Sequence, residues 1–142
     1  VSINGAILTD LTGQVVVDSV QGLFRSGVGS MVDFVRGAAM SRGGRPIIAL
    51  PSTGIDEDGQ RFSRLVADLP MGAGVGCHRS DVHYLVTENG IASLRGRTIQ
   101  ERVQELIQVA HPDFQEKLLE IKQSLEFLNQ QFPWPQSIIG QY

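Results

Sequence analysis

The most regular spacing of apolar positions lies late in the chain. Ile99, Val103, Leu106, Ile107 and Ala110 recur at helical intervals behind a Thr98/Glu101 capping box, which predicts a helix over residues 98–110. Pro112 opens a second helix, in which Phe114, Leu118, Ile121, Leu125 and Leu128 form a narrow apolar stripe suited to packing on another element. Nearer the start, Met31, Val32, Phe34 and Val35 predict a short helix that stops at Gly37. Extended patterns fill the rest. Residues 5–8 and 15–17 flank the turn-forming Asp10-Leu11-Thr12-Gly13 and predict a hairpin. Residues 46–50 form a continuous apolar run of the kind buried on both faces of a parallel sheet. Residues 62–69, 74–77 and 82–86 read as further short strands, and 54–61 as an acidic exposed loop.

Strands alternating with helices over 142 residues, with 42% hydrophobic and 19% charged positions, describe one packed α/β domain. Residues 1–129 carry its patterns. Residues 130–142, with Pro133-Trp134-Pro135, have no period and read as a surface tail or the start of a following segment. No apolar run approaches the roughly 20 residues of a membrane span, so a membrane is not an expected partner. The 12 basic and 15 acidic residues are evenly spread, which leaves no basic patch for nucleic acid. The single cysteine makes neither an internal disulfide nor a structural zinc site, and no targeting segment precedes the first strand; a reducing, cytoplasmic setting is the expectation. The only lysines are Lys117 and Lys122, so an anion met by the first 116 residues must be held by arginine or by backbone N–H groups. That excludes a lysine-dependent P-loop.

The strongest local chemistry is Ser26-Gly27-Val28-Gly29-Ser30, where two glycines just before a helix let backbone N–H groups converge on an anion or a developing oxyanion. A tight connection is the plainer reading of the same residues. Met71-Gly72-Ala73-Gly74-Val75-Gly76 lacks the third glycine of a dinucleotide loop and runs into a strand, so nicotinamide binding is not indicated. Cys77, His78 and His83 match no ligand spacing; they read as structural residues, and no metal is expected. His111, beside Pro112, reads as a helix-boundary residue. Glu88 follows a strand and precedes a glycine, where open α/β sheets commonly meet a ligand, although a turn carboxylate fits equally. Arg42 and Arg45 flank Gly43-Gly44 and are either phosphate-gripping or solvated turn arginines.

The motifs in their order resemble the C-terminal domain of the acetyl-CoA hydrolase and transferase family, which includes 4-hydroxybutyrate and butyrate CoA-transferases. They are Ser2-Ile3-Asn4, Asp10-Leu11-Thr12-Gly13-Gln14, Ser26-Gly27-Val28-Gly29 and Val32-Asp33-Phe34 with Arg36-Gly37-Ala38. Ile47-Ile48-Ala49-Leu50-Pro51-Ser52-Thr53, Ser63-Arg64, Asp81-Val82-His83-Tyr84, Val86-Thr87-Glu88, Leu94-Arg95-Gly96 and Ala110-His111-Pro112-Asp113-Phe114 continue the series. The resemblance covers residues 2–120. Ser30 stands where the family usually shows a further glycine, and Gly76-Cys77-His78-Arg79 where it shows Thr-Thr-Ser-Arg.

The resemblance implies a three-layer α/β fold of the CoA-transferase type, a mainly parallel sheet flanked by helices, forming one of two similar domains around an active-site cleft. It implies a CoA-transferase or acyl-CoA hydrolase acting on short-chain acyl-CoA through a glutamyl-CoA thioester, with the nucleophilic glutamate upstream of this chain. Coenzyme A or acyl-CoA is then a substrate, with no permanently bound cofactor, and the other partners are a short carboxylate or water, the N-terminal domain of the same parent chain, and further copies in a homo-oligomer. By the same resemblance the loop of Ser26, Gly27, Val28 and Gly29 faces coenzyme A, Gly29 lends a backbone N–H to the oxyanion, and Glu88 plays a supporting catalytic role; Arg42, from its place beside Gly43-Gly44, is the further candidate for holding coenzyme A, through a phosphate. The fragment alone is expected to be inactive. A non-catalytic module that binds CoA or a protein is the alternative.

Overall fold

A computed structural model describes residues 1–20, 23–27 and 29–124. Elements follow in chain order: β1 (Ser2–Gly5), β2 (Leu8–Asp10), β3 (Val15–Val16), β4 (Ser19–Val20), β5 (Leu23–Phe24), α1 (Met31–Met40) and β6 (Pro46–Ala49). Then come β7 (Thr53–Ile55), β8 (Arg61–Ser63), β9 (Leu65–Val66), β10 (Tyr84–Thr87), β11 (Gly90–Ser93), α2 (Ile99–Gln108) and α3 (Pro112–Ser124).

The principal sheet has the order β1-β6-β10-β11, with β1, β6 and β10 parallel and β11 antiparallel at one edge. This is the α/β class the alternating patterns predict. The row Asn4, Ile48, Leu85, Ala92 runs across it in register. Ile48, Leu85 and Ala92 are buried in one cluster with Val35 of α1 and Val103, Leu106 and Ile107 of α2. Both helices therefore pack on that one face. Pro46 and Ile48 are buried while Ile47 and Ala49 are only half-covered, so β6 is not buried on both faces as its apolar run predicts.

A smaller sheet, β3-β2-β9, closes the core from the side. Its β2–β3 hairpin closes around the predicted turn, but its first strand is Leu8–Asp10 and not residues 5–8, because Ser2–Gly5 belongs to the large sheet, where it pairs with β6. Asp10 holds the connecting turn: its Oδ1 accepts from the Thr12 N–H at 2.9 Å, the Thr12 hydroxyl at 2.7 Å and the Gln14 N–H at 2.9 Å. Gly13 completes the turn at φ +92°, where a side chain would be strained and a Cβ would stand 2.4 Å from Arg102 Nη2. The acidic stretch 54–61 is part of the β7–β8 hairpin, and residues 74–77 make only a single bridge, Cys77 to Val15.

α1 runs three residues past Gly37, because Ala38 is buried against the sheet and Ser41, not the glycine, ends the helix by donating its hydroxyl and N–H to the Gly37 carbonyl. α2 starts on the expected capping box: the Thr98 hydroxyl accepts from the Glu101 N–H, and the Glu101 carboxylate accepts from the Thr98 N–H at 2.8 Å. α3 packs on α2 and buries Leu118; Leu125, Leu128 and the 130–142 tail lie outside the described residues.

Arg102 is 6% exposed and donates to three backbone carbonyls, those of Thr12 (2.8 Å), Leu94 (2.8 Å) and Arg79 (2.7 Å). Replacing it with methionine keeps the apolar stem but strands three acceptors, so Arg102→Met is expected to cost about 3 kcal/mol or more in urea unfolding. A loss below about 1 kcal/mol would mean that water replaces the guanidinium at little cost.

Candidate active site

Three features gather at one edge of the large sheet because its strands are parallel. β6 and β10 end side by side, and the Leu50 N–H still donates to the Val86 carbonyl at 3.1 Å beyond the strand. Ser52 and Glu88 follow these two ends. α1 leads through a short turn into the start of β6 and packs on β1 and β6, so it runs antiparallel to β6 and its first residues return to the same carboxyl edge. The Ser26–Ser30 loop, which feeds α1, thus sits over that edge. In open α/β sheets this is where ligands are met.

Glu88 is held by Ser52. The buried Ser52 donates its N–H to Glu88 Oε2 at 2.9 Å and its hydroxyl to Oε1, and the Asn89 side-chain amide donates to the Ser52 oxygen at 3.1 Å. These bonds favour the carboxylate. The Ser52 hydroxyl first, then the Ser52 N–H, hold the Glu88 carboxyl below its ordinary value of 4.5. The preceding residue fastens the same turn: the Thr87 hydroxyl donates to the Val109 carbonyl at 2.6 Å and accepts from the Asn89 N–H at 3.0 Å. Glu88 is an exposed, ionised carboxylate in a fixed orientation.

The glycine loop is open. Gly27 and Gly29 are exposed, and among the described residues no heavy atom lies within 4 Å of a Cβ built on either. Gly27 does not have a left-handed φ. Neither internal packing nor backbone geometry therefore requires glycine at 27, and what its missing side chain preserves is space in front of the chain. Ser26 bonds its hydroxyl to the Gly27 carbonyl at 3.1 Å, and its N–H, with that of Arg25, reaches the Asp18 carbonyl. Val28 lies outside the described residues. Ser30 caps α1 without a side-chain hydrogen bond.

Arg42 is not brought to this edge. It lies in the turn after α1, at the amino end of β6 and about 15 Å away along a ten-residue helix. An open concavity of about 780 Å³ lies beside the loop, lined by Ile7, Arg25, Asp56, Glu57, Phe62 and Arg64 among others, but not by Glu88, Gly27 or Gly29. Arg64 braces its wall by donating to the carbonyls of Ile7 and Thr53, each at 3.1 Å. Ser52 and Asn89, which orient Glu88, are not singled out by residue type; the available signal was their place just beyond two strand ends.

Cys77 is fully buried, and burial pushes its thiol up to about 11, so the thiolate needed for nucleophilic chemistry is not formed near neutrality. Burial, with Arg95 second, holds His83 below its ordinary 6.5. Among the described residues no cluster of three or more His, Cys, Asp or Glu is placed to share a metal ion. No described helix is long and apolar enough to cross a membrane.

A mixed α/β sheet flanked by helices, carrying an exposed glycine loop and an oriented carboxylate, has the architecture of a CoA-transferase-type domain. Residues 1–121 match the acetyl-CoA hydrolase/transferase C-terminal domain, and the chain belongs to that family. It is 46% identical over 119 residues to the 4-hydroxybutyrate coenzyme A transferase of Clostridium kluyveri, covering 84% of this chain and 27% of that protein. The crystal structure of RipA from Yersinia pestis superposes with a TM-score of 0.76 at 38% identity, over 88% of this chain and 27% of that one. The 4-hydroxybutyrate CoA-transferase of Porphyromonas gingivalis gives a TM-score of 0.65 at 37% identity, over 87% and 26%. The chain spans about a quarter of the length of these relatives.

Ser52→Ala removes the first cause of the Glu88 shift. The Glu88 carboxyl is expected to titrate closer to its ordinary value in the variant, followed by carboxyl-carbon NMR. Because the folded value is depressed, the stabilisation from this pair is present above the ordinary glutamate range and is lost as pH falls through the folded value. An unmoved titration would mean Ser52 does not hold the carboxylate.

Proposed function

We propose that the longer protein carrying this chain transfers coenzyme A between short carboxylic acids, or hydrolyses a short acyl-CoA, through a glutamyl-CoA thioester on a glutamate outside residues 1–142. Membership of the family supports the reaction class. The observation that carries the site is the shared sheet edge, where glycines that leave open space stand with a carboxylate kept ionised.

The glutamate carboxylate attacks the thioester carbonyl, the C–S bond breaks, and coenzyme A leaves as thiolate from an acyl-glutamyl anhydride. The thiolate then attacks the glutamyl carbonyl, releasing the original acid as its carboxylate. An acceptor carboxylate repeats the sequence in reverse, or water hydrolyses the thioester. Each attack places negative charge on a carbonyl oxygen. In this reading the Gly29 N–H donates to that oxygen, with Ser26, Gly27 and Val28 lining the approach of coenzyme A. Glu88, already ionised and clamped by Ser52, orients polar groups beside the nucleophile. Arg42, at the far end of α1, can meet only a distant phosphate of coenzyme A and not the reacting carbonyl.

A Cβ at position 29 meets no described heavy atom, so Gly29→Val tests substrate approach without internal crowding. In the full-length protein it is expected to lower kcat/KM for acyl-CoA by about 100-fold. Glu88→Gln is expected to lower kcat by about 10- to 100-fold with little change in KM. Unchanged kinetics in both variants would remove the edge from the reaction. Turnover by residues 1–142 alone would overturn the outside nucleophile, and CoA binding without turnover in the full protein would favour a binding module.

A further inference from the structure

An unpartnered cation faces the concavity beside the glycine loop. Arg25 immediately precedes Ser26, and its N–H is fixed to the Asp18 carbonyl at 2.7 Å. Its side chain lines the concavity, and among the described residues its guanidinium makes no hydrogen bond or ion pair. Arg64 lines the same space under restraint. Its Nε and Nη1 are spent on two carbonyls, and its Cζ stands 5.9 Å from the centre of the Phe62 ring. Gly54 makes room for both side chains, since a Cβ there would stand 2.5 Å from Phe62 Cζ and 3.2 Å from Arg64 Nε.

Strand pairing brings this concavity to the carboxyl edge. Ile7 follows β1 and Ile55 lies in the strand after Ser52, while β1 and β6 are parallel, so the space opens beside the strand ends from which Ser52 and Glu88 extend. Arg25 is four residues before Gly29, a span of at most roughly 14 Å of chain. One small molecule can therefore present a carbonyl to Gly29 and a charge to Arg25. The rest of the lining is apolar at Leu8, Val66 and Pro70 and acidic at the tip of the β7–β8 hairpin. Asp56 is turned into that tip, where its Oδ1 accepts from the Asp58 N–H at 3.1 Å and the Gln60 N–H at 2.7 Å. Glu57 and Asp58 are exposed. An anion in this space is attracted by Arg25 and Arg64 and repelled by Glu57 and Asp58.

An acyl chain with one carboxyl group spends it on the thioester and leaves nothing for a guanidinium. A dicarboxylic acyl group keeps a second carboxylate, which a planar guanidinium can bind through two parallel hydrogen bonds. We infer that the concavity receives the acyl chain of the substrate, and that Arg25 selects short dicarboxylic acids by pairing with the carboxylate left free of the thioester. Leu8, Val66 and Pro70 line the path of the methylene groups. Glu57 and Asp58 are the repulsive element, acting against longer diacids whose free carboxylate extends past Arg25. The inference rests on the acyl-CoA reading of the edge and adds the substrate class.

The test uses the full-length protein with succinyl-CoA and butyryl-CoA, which have equal chain length and differ in terminal charge. kcat/KM is expected to favour succinyl-CoA by at least about 10-fold, and Arg25→Gln to lower it at least about 10-fold more for succinyl-CoA than for butyryl-CoA. The double variant Glu57→Gln, Asp58→Asn is expected to raise kcat/KM for adipyl-CoA relative to succinyl-CoA by about 3-fold; an unmoved ratio would overturn the role of the hairpin tip. A wild-type preference for butyryl-CoA would overturn the inference. So would equal losses for both thioesters in Arg25→Gln, which would assign Arg25 to a phosphate of coenzyme A. Calorimetry decides without turnover: free succinate is expected to bind the full-length protein and to lose at least about 10-fold in affinity in Arg25→Gln. No succinate binding, or binding unchanged in the variant, would overturn the inference. Butyryl-CoA turnover with no preference for succinyl-CoA breaks this inference alone; succinate held by Arg25 without turnover of any acyl-CoA breaks the functional reading alone.

Discussion

One buried guanidinium joins the parts of this fold. Arg102 reaches from α2 to the turn after β2, to the end of β11 and to the loop carrying Arg79, and in each it satisfies a carbonyl. Those three segments are far apart in sequence. Burial first, then the nearby Arg79 charge, act against the cation and lower its pKa, while Asp10 acts the other way. The arrangement persists because a planar donor fork can meet several carbonyls at once, which lysine cannot do. With the small sheet fastened to α2, Leu11, Val15, Leu65 and Leu94 close the core in which the large sheet rests.

Sequence patterns revealed elements stabilised locally and obscured those stabilised at a distance. The α2 capping box and the Asp10 turn were readable because their hydrogen bonds close within a few residues. The strand expected at residues 5–8 divides in the structure between β1 and β2, since the partner of β1, β6, lies some forty residues away and nothing nearby announces it. Gly37 suggested a helix end that tertiary contact at Ala38 overrides. The apolar run of β6 suggested burial on both faces, whereas among the described residues only alternate positions, Pro46, Ile48 and Leu50, are buried.

The edge carrying Glu88 was only partly readable. A carboxylate after a strand and before a glycine suggested ligand contact, but its clamp, Ser52, is 36 residues earlier and becomes a neighbour through strand pairing alone. Family motifs likewise mix two duties that text cannot separate. Asp10-Leu11-Thr12-Gly13-Gln14 is a self-bonded turn against Arg102, whereas a Cβ at 27 or 29 would meet no heavy atom of the described residues within 4 Å. The difference between a glycine wedged against a neighbour and one facing emptiness exists only in three dimensions.

The state of Cys77 has a chemical consequence wherever thioesters or oxidants are present. A surface thiolate would exchange with any thioester it met, becoming acylated and releasing coenzyme A to no purpose. The sole sulfur nucleophile of these 142 residues is walled in and kept protonated, with its acidity pushed to about 11. Oxidants find no thiolate there either, so futile acyl exchange and thiol oxidation are both suppressed at this cysteine without a dedicated safeguard.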